Sequence, residues 1–193
     1  MKRILLVGTA MIGLMGSTMG LYSVNAAVPG TLKVNVNYGL QQKEGSRPAN
    51  NHFAGGDVIY TVTPKWNVQY SHHYARGNTG NHIQEQYVTG GYHLTDNLTA
   101  YAGGAYIQTE VDGTYRSASG YQFGVRGEMD LPYRFKGYAN IGLGNRTQSY
   151  VVGVGYPVLP GIDAHVQYRN SKVDAAGYKD TVKGVQVGVG YSF

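Results

Sequence analysis

The 193 residues suffice for about one ordinary domain, and only 14% of them are charged, against roughly 25% in soluble globular proteins. With no cysteine there is no disulfide scaffold, no Cys-ligated zinc site and no thiol nucleophile. The 29 glycines and 18 tyrosines argue against a helix bundle and against disorder, since an interior helical Gly costs about 1 kcal/mol.

Lys2 and Arg3 open the chain, and an apolar stretch from Ile4 to Leu21 follows, interrupted by Gly8, Gly13, Gly16 and Gly20. Val24-Asn25-Ala26 then supplies small residues at the positions a signal peptidase reads. That order predicts a secretory signal peptide over 1–26, removed to leave one β-domain over 27–193. Its removal takes two of the five net positive charges with Lys2 and Arg3.

Beyond Ala27 the pattern has period two, which sends successive side chains to opposite faces of a strand. Leu32, Val34, Val36, Tyr38 and Leu40 alternate with Lys33, Asn35, Asn37 and Gly39. Tyr121, Phe123, Val125, Gly127, Met129 and Leu131 oppose Gln122, Gly124, Arg126, Glu128 and Asp130. At the end, Val185, Val187, Val189, Tyr191 and Phe193 oppose Gln186, Gly188, Gly190 and Ser192. Predicted strands cover 30–41, 54–63, 66–76, 83–94, 97–109, 116–131, 133–144, 148–158, 161–170 and 183–193. Merging the hairpin around Asn145 to Thr147 leaves eight strands as the alternative count.

Tight turns mark one end of these strands. Val62-Thr63-Pro64-Lys65-Trp66 parallels Leu94-Thr95-Asp96-Asn97-Leu98, and prolines lie at Leu131-Pro132-Tyr133 and Leu159-Pro160-Gly161. The other connections, 42–53, 77–82, 110–115, 145–147 and 171–182, are longer and polar. Strands near the roughly 9–11 residues of a tilted crossing, with short turns on one side and longer loops on the other, predict an all-β, antiparallel, up-and-down transmembrane barrel. A soluble sandwich would carry charges on its outer face, whereas the polar face here is mostly Gly, Gln, Asn and Ser. Trp66, Tyr133, Tyr156, Tyr191 and Phe193 gather at the turn ends, and Tyr38, Tyr121, Tyr150 and Tyr168 at the loop ends, as two aromatic girdles require.

With those residues in place, the chain resembles the small, porin-like outer-membrane β-barrel proteins of bacteria across 27–193. The resemblance rests on the Leu94–Leu98 hairpin and on the terminal Val185–Phe193 strand, whose Val189, Tyr191 and Phe193 look like the signal read by the barrel-assembly machinery. It implies export past periplasmic chaperones to the outer membrane. It does not imply one activity, since that family includes pores, structural barrels, adhesins and some enzymes.

Arg or Lys facing lipid costs about 2–4 kcal/mol at mid-membrane, so the charge parity is informative. Lys33, Arg126, Arg134, Lys136 and Arg169 fall on the inward face, as do Asp57, Glu85, Glu128, Asp130 and Asp163. This balance predicts a neutral, salt-bridged lumen that is structural or weakly conducting. The alternative is a narrow channel for ions or small solutes, with Arg126, Arg134, Lys136 and Arg169 facing Glu128 and Asp163 at a constriction. Gly124, Gly142, Gly188 and Gly190 would leave space for it.

Catalytic signals are thin. Ser71 and His73 share a face, but no acidic residue follows them at strand spacing, so a lipid-modifying barrel enzyme is the last alternative. A surface receptor or adhesin ranks before it, although the longest loop, of about a dozen residues, is short for an elaborate adhesin. His72, His73 and His82 have no carboxylate at ligand spacing, so no metal or cofactor is expected. The loops hold Lys43, Arg47, Arg76, Arg116, Arg146, Lys172, Lys179 and Lys183 against Glu44, Glu110, Asp112, Asp174 and Asp180. This excess suits a ring against outer-membrane lipid, lipopolysaccharide phosphates included, better than nucleic acid, which needs a compact basic face.

Overall fold

A computed structural model describes residues 28–40, 42–44, 47–48, 52–76 and 81–193. The expected signal peptide lies outside the described residues. Ten long strands form the wall: β1 (Leu32–Gly39), β2 (His52–Thr63), β3 (Trp66–Arg76), β4 (His82–Thr95), β5 (Leu98–Val111), β6 (Thr114–Asp130), β7 (Lys136–Gly144), β8 (Thr147–Leu159), β9 (Ile162–Ala175) and β10 (Tyr178–Ser192). Each pairs antiparallel with its chain neighbours. A short ribbon of Lys43–Glu44 and Arg47–Pro48 adds to the loop end of β10. The sheet is a closed ten-stranded barrel, and the eight-strand alternative falls.

Closure runs through the first and last strands. Val36 pairs with Val189 and Val34 with Tyr191, and the Phe193 amide donates to the Leu32 carbonyl at 2.9 Å. The terminal residues thus leave β1 and β10 with no free edge, the aggregation hazard of an open sheet.

The matched Thr residues at the turn side have a shared task. Thr63 Oγ1 accepts from the Lys65 and Trp66 amides at 3.3 and 3.0 Å, and Thr95 Oγ1 accepts from the Asn97 amide at 3.3 Å. Each hydroxyl satisfies donors that the tight turn would otherwise leave unpaired. Aromatic pairs follow at the same end: Trp66 with Tyr92 at 4.9 Å, Phe135 with Tyr156 at 5.1 Å, and Tyr191 with Phe193 at 4.4 Å between ring centroids.

Two loop-side connections differ from the sequence expectation. The segments 110–115 and 171–182 are not loops; their strands run on to two-residue turns at Asp112-Gly113 and Ala176-Gly177. Both central residues of each turn have positive φ, 50° and 74° in the first and 53° and 92° in the second. That geometry matches the right-handed twist of the flanking strands. Asp174 Oδ1 accepts from the Gly177 amide at 2.8 Å and fixes the second turn.

At the turn side, Pro132–Arg134 forms a single 3-10 turn in which Tyr133 and Arg134 have φ of 61° and 69°. The strand therefore starts at Lys136, three residues later than the alternation suggests, and Arg134 is taken out of the wall. Tyr133 projects at the tip, 87% exposed.

Ala176 occupies a left-handed position that costs a residue with a Cβ about 1 kcal/mol or more, whereas Asn adopts it readily. Ala176→Asn should stabilise the barrel by about 0.5–1 kcal/mol. The check is a urea unfolding midpoint that rises while the slope stays unchanged.

Candidate functional site

Parity and exposure divide each strand into an outward and an inward set. Outward Val68, Val88, Phe123, Val125, Val152 and Val166 are exposed, while inward Gln69, Ser71, Gln122, Ser149 and Gln186 are buried. The barrel is thus inverted relative to a soluble protein, with its polar side chains inside. Tyr38, Tyr121 and Tyr168 face outward toward the loop side of this apolar belt.

The interior is layered. At the turn-side mouth Lys33 Nζ meets Asp163 Oδ2 at 2.8 Å, both about one-third exposed. Glu128 and Lys136 line the same mouth. One level deeper, Gln69 Nε2 donates to Asp57 Oδ1 at 3.0 Å and to Ser71 Oγ at 2.8 Å, and Arg126 donates to Gln69 Oε1. These groups surround a cavity of about 190 Å3.

The cavity ends against a buried ion pair. Arg169 Nη2 on β9 donates to Glu85 Oε2 on β4 at 2.9 Å, with Glu85 2% and Arg169 5% exposed. Ser171 Oγ donates to the same carboxylate oxygen at 2.7 Å, and the Tyr87 hydroxyl donates to it as well. Tyr87 also meets Thr147 Oγ1 at 3.0 Å, which brings in β8. A carboxylate removed from water is tolerable only with this many partners.

Around the pair and toward the loops the lining turns largely apolar, with the buried Thr109 among it. Ala75, Ile83, Ala105, Ile107, Val173, Ala175 and Val182, from β3, β4, β5, β9 and β10, form one buried cluster with Tyr87. Strands β5 and β9 approach within 8 Å, Cα to Cα, across the lumen. The barrel is therefore drawn in there, and Ile107 of β5 and Val173 of β9 belong to one buried cluster. The cavity runs from Lys33 and Asp163 at the turn-side mouth down to Arg169, and a second one lies at the loop end around Arg146, Thr147, Val173 and Lys179.

The ten inward charges do not form one ring. Lys33 and Asp163 are at the mouth, Asp57 and Arg126 at mid-depth, and Glu85 and Arg169 at the blind end, while Arg134 sits in the turn outside the lumen. The inward glycines are not open space either. A Cβ on Gly124 would fall 2.2 Å from the Ile141 carbonyl oxygen and 2.5 Å from the Tyr101 ring. Tyr101 lies over Gly124 and Gly142 and donates to Asn140 Oδ1 at 2.9 Å. Tyr138 covers Gly153 in the same manner and donates to Gln167 Oε1 at 3.0 Å. Glycine here makes room for a neighbouring ring.

The acid absent along β3 comes from the next strand. Asp57 on β2 pairs in register with Ser71, and its Oδ1 lies 4.0 Å from His73 Nε2. Ser71 accepts from Gln69, however, and His73 Nδ1 has no partner. His73 is buried in the lumen and His72 has the opposite parity on β3, while His82 Nδ1 pairs with Glu110 Oε2 at 3.0 Å.

Sequence reasoning missed the apolar layer. Its signal was present: Ile83 and Tyr87 share Glu85's parity on β4, and Val173 and Ala175 share that of Arg169 on β9.

Breaking the pair from one side strands a buried charge, at a cost of about 3–5 kcal/mol. Arg169→Met should lower stability by that amount in urea unfolding. Adding Glu85→Gln to Arg169→Met should restore most of the loss, because the neutral amide keeps partners in Ser171 and Tyr87.

No family model matches the chain, and no curated protein matches it. Many solved structures do. The outer membrane protease OmpT from Escherichia coli is 10% identical, aligned over 89% of this chain and 100% of that one, with a TM-score of 0.52. The KdgM porin is 14% identical over 83% and 99%, with a TM-score of 0.43. The N-terminal β-barrel domain of Pseudomonas aeruginosa OprF is 11% identical over 86% and 98%, with a TM-score of 0.38. The likeness to OmpT is one of fold: this chain is a closed, up-and-down antiparallel barrel with the architecture of an outer-membrane β-barrel protein.

Proposed function

We propose that the protein spans the bacterial outer membrane and serves there as a structural barrel with a closed lumen, conducting weakly at most. The membrane reading draws support from the outward apolar belt, which a soluble protein of this size would bury, and from the aromatic residues at both of its margins. The terminal Val189, Tyr191 and Phe193 suit recognition by the barrel-assembly machinery after passage with periplasmic chaperones.

One observation carries the closed-lumen reading. The turn-side cavity stops at the Glu85–Arg169 pair, beyond which apolar side chains from opposite walls are in contact. An ion crossing that layer would lose its hydration without gaining polar ligands, a barrier of the dewetting kind. The second reading, a narrow channel for ions or small solutes, is favoured by the polar lining of the turn-side half, but it needs the apolar layer to move. A catalytic role is not part of the proposal, since Ser71 at mid-depth accepts from Gln69 and His73 Nδ1 makes no hydrogen bond among the described residues.

Planar-bilayer recording tests this. The native protein should insert without discrete openings, whereas Ile83→Ala/Ile107→Ala/Val173→Ala should admit a measurable current. Regular discrete openings of the native protein would overturn the closed reading. A mature chain that stays folded and monomeric without lipid or detergent would overturn the membrane reading itself.

A further inference from the structure

The loop-side collar beyond the apolar belt is not uniformly basic. On β3–β5 its outward residues are Arg76, His82, Gln84, Gln86, Gln108 and Glu110, and His82 and Glu110 pair with each other. On β9, β10 and the short ribbon they are Lys172, Asp174, Lys179, Thr181, Lys183 and Lys43, four lysines to one acid. The parity is set by Ser171, Val173 and Val182, which are buried inside.

These four lysines are neighbours. Lys43 is directly opposite Lys183 in the antiparallel register, which places their Cβ atoms about 5 Å apart. Lys172 is opposite Thr181 and hence diagonal to Lys183, and Lys179 is diagonal to Lys172, at about 7–8 Å spacing. Among the described residues none of the four is in an ion pair. Asp174 lies directly across from Lys179 and shares its carboxylate with Arg146 at 3.7 Å and the Gly177 amide, while Asp180, opposite the buried Val173, is held by the Thr181 amide and Tyr178. The counter-charge therefore falls short at Lys43, Lys172 and Lys183. Like charges directly opposite one another destabilise a sheet unless a counter-charge offsets them.

The patch also has a defined height. Tyr168 and Val185, paired in register and facing outward, lie next to Asn170 and Lys183 on the turn side, so the lysines begin where the apolar belt ends. We propose that this one-sided lysine cluster binds the phosphate groups of lipid headgroups in the leaflet at the loop side, replacing the even ring expected from composition. The inference rests on the membrane reading above. A bilayer is the source of phosphate that sits at this height while its acyl chains cover Tyr168 and Val185.

The test uses the protein refolded in phosphatidylcholine micelles doped with dioleoylphosphatidic acid, with bound lipids counted by native mass spectrometry. Heat-modifiable gel mobility reports the folded state of every sample. The native protein should retain phosphatidic acid at least tenfold over phosphatidylcholine. Lys43→Gln/Lys172→Gln/Lys179→Gln/Lys183→Gln should lose that preference, while Lys65→Gln/Arg76→Gln/Arg116→Gln/Arg134→Gln, an equal loss of charge elsewhere, should keep it. Equal inorganic phosphate should not displace the lipid. No preference in the native protein, an equal loss in both variants, or displacement by inorganic phosphate would each overturn the proposal. Insertion into phosphatidylcholine vesicles is scored separately: failure there sinks the membrane reading, whereas insertion without lipid preference sinks only this one.

Discussion

The carboxylate of Glu85 is the constraint around which the interior is arranged. It is buried at mid-barrel, so it demands compensation, and it receives Arg169 and Ser171 from β9 and Tyr87 from its own strand. Tyr87 extends the network to Thr147 on β8. A single buried charge thus ties together strands on opposite sides of the barrel. Such a pair contributes less to net stability than its geometry suggests. Its larger effect is on shape, because the two walls must stay close enough for the contact to form.

That proximity explains the rest of the lumen. A barrel drawn in at β5 and β9 brings Ile83, Ile107, Val173 and Val182 together beyond the pair, with Thr109 as a buried polar member of that layer. On the turn side the walls diverge, and the space is filled by Tyr101 and Tyr138 lying over glycines, with amide side chains between them. Two chemically different halves follow from one pinch. The polar half opens into the turn-side cavity, and the apolar half, on the reading proposed above, acts as a plug built from the wall itself.

Much of this was legible in the alternation. Parity alone put Asp57, Glu85, Arg126 and Arg169 inside and the valines and tyrosines outside, and the terminal strand was readable down to Phe193. Three features were not legible, each for a local reason. Arg134 left the lumen because Pro132 starts a 3-10 turn that consumes the first residues of the expected strand. The hairpins at Asp112-Gly113 and Ala176-Gly177 looked like loops because polar outward residues above the belt mimic loop composition, although the Asp-Gly pair is itself a hairpin signal. The apolar plug was hidden because β9 was ended at residue 170, before Val173 and Ala175 could declare their face. Depth along the barrel also escapes one-dimensional parity, so the charges expected inside read as one set, although those that are inside occupy separate levels.

The central claim is the sidedness of the lumen, and the absence of native cysteine makes it directly measurable. Single cysteines at Asn140, in the turn-side cavity, and at Thr109, beyond the buried pair, can be challenged with a membrane-impermeant charged thiol reagent in vesicles. The account predicts rapid labelling at position 140 from the turn side, blocked from the loop side, and protection at position 109 from the turn side. Labelling of position 109 through the turn-side opening, at a rate matching position 140, would contradict it.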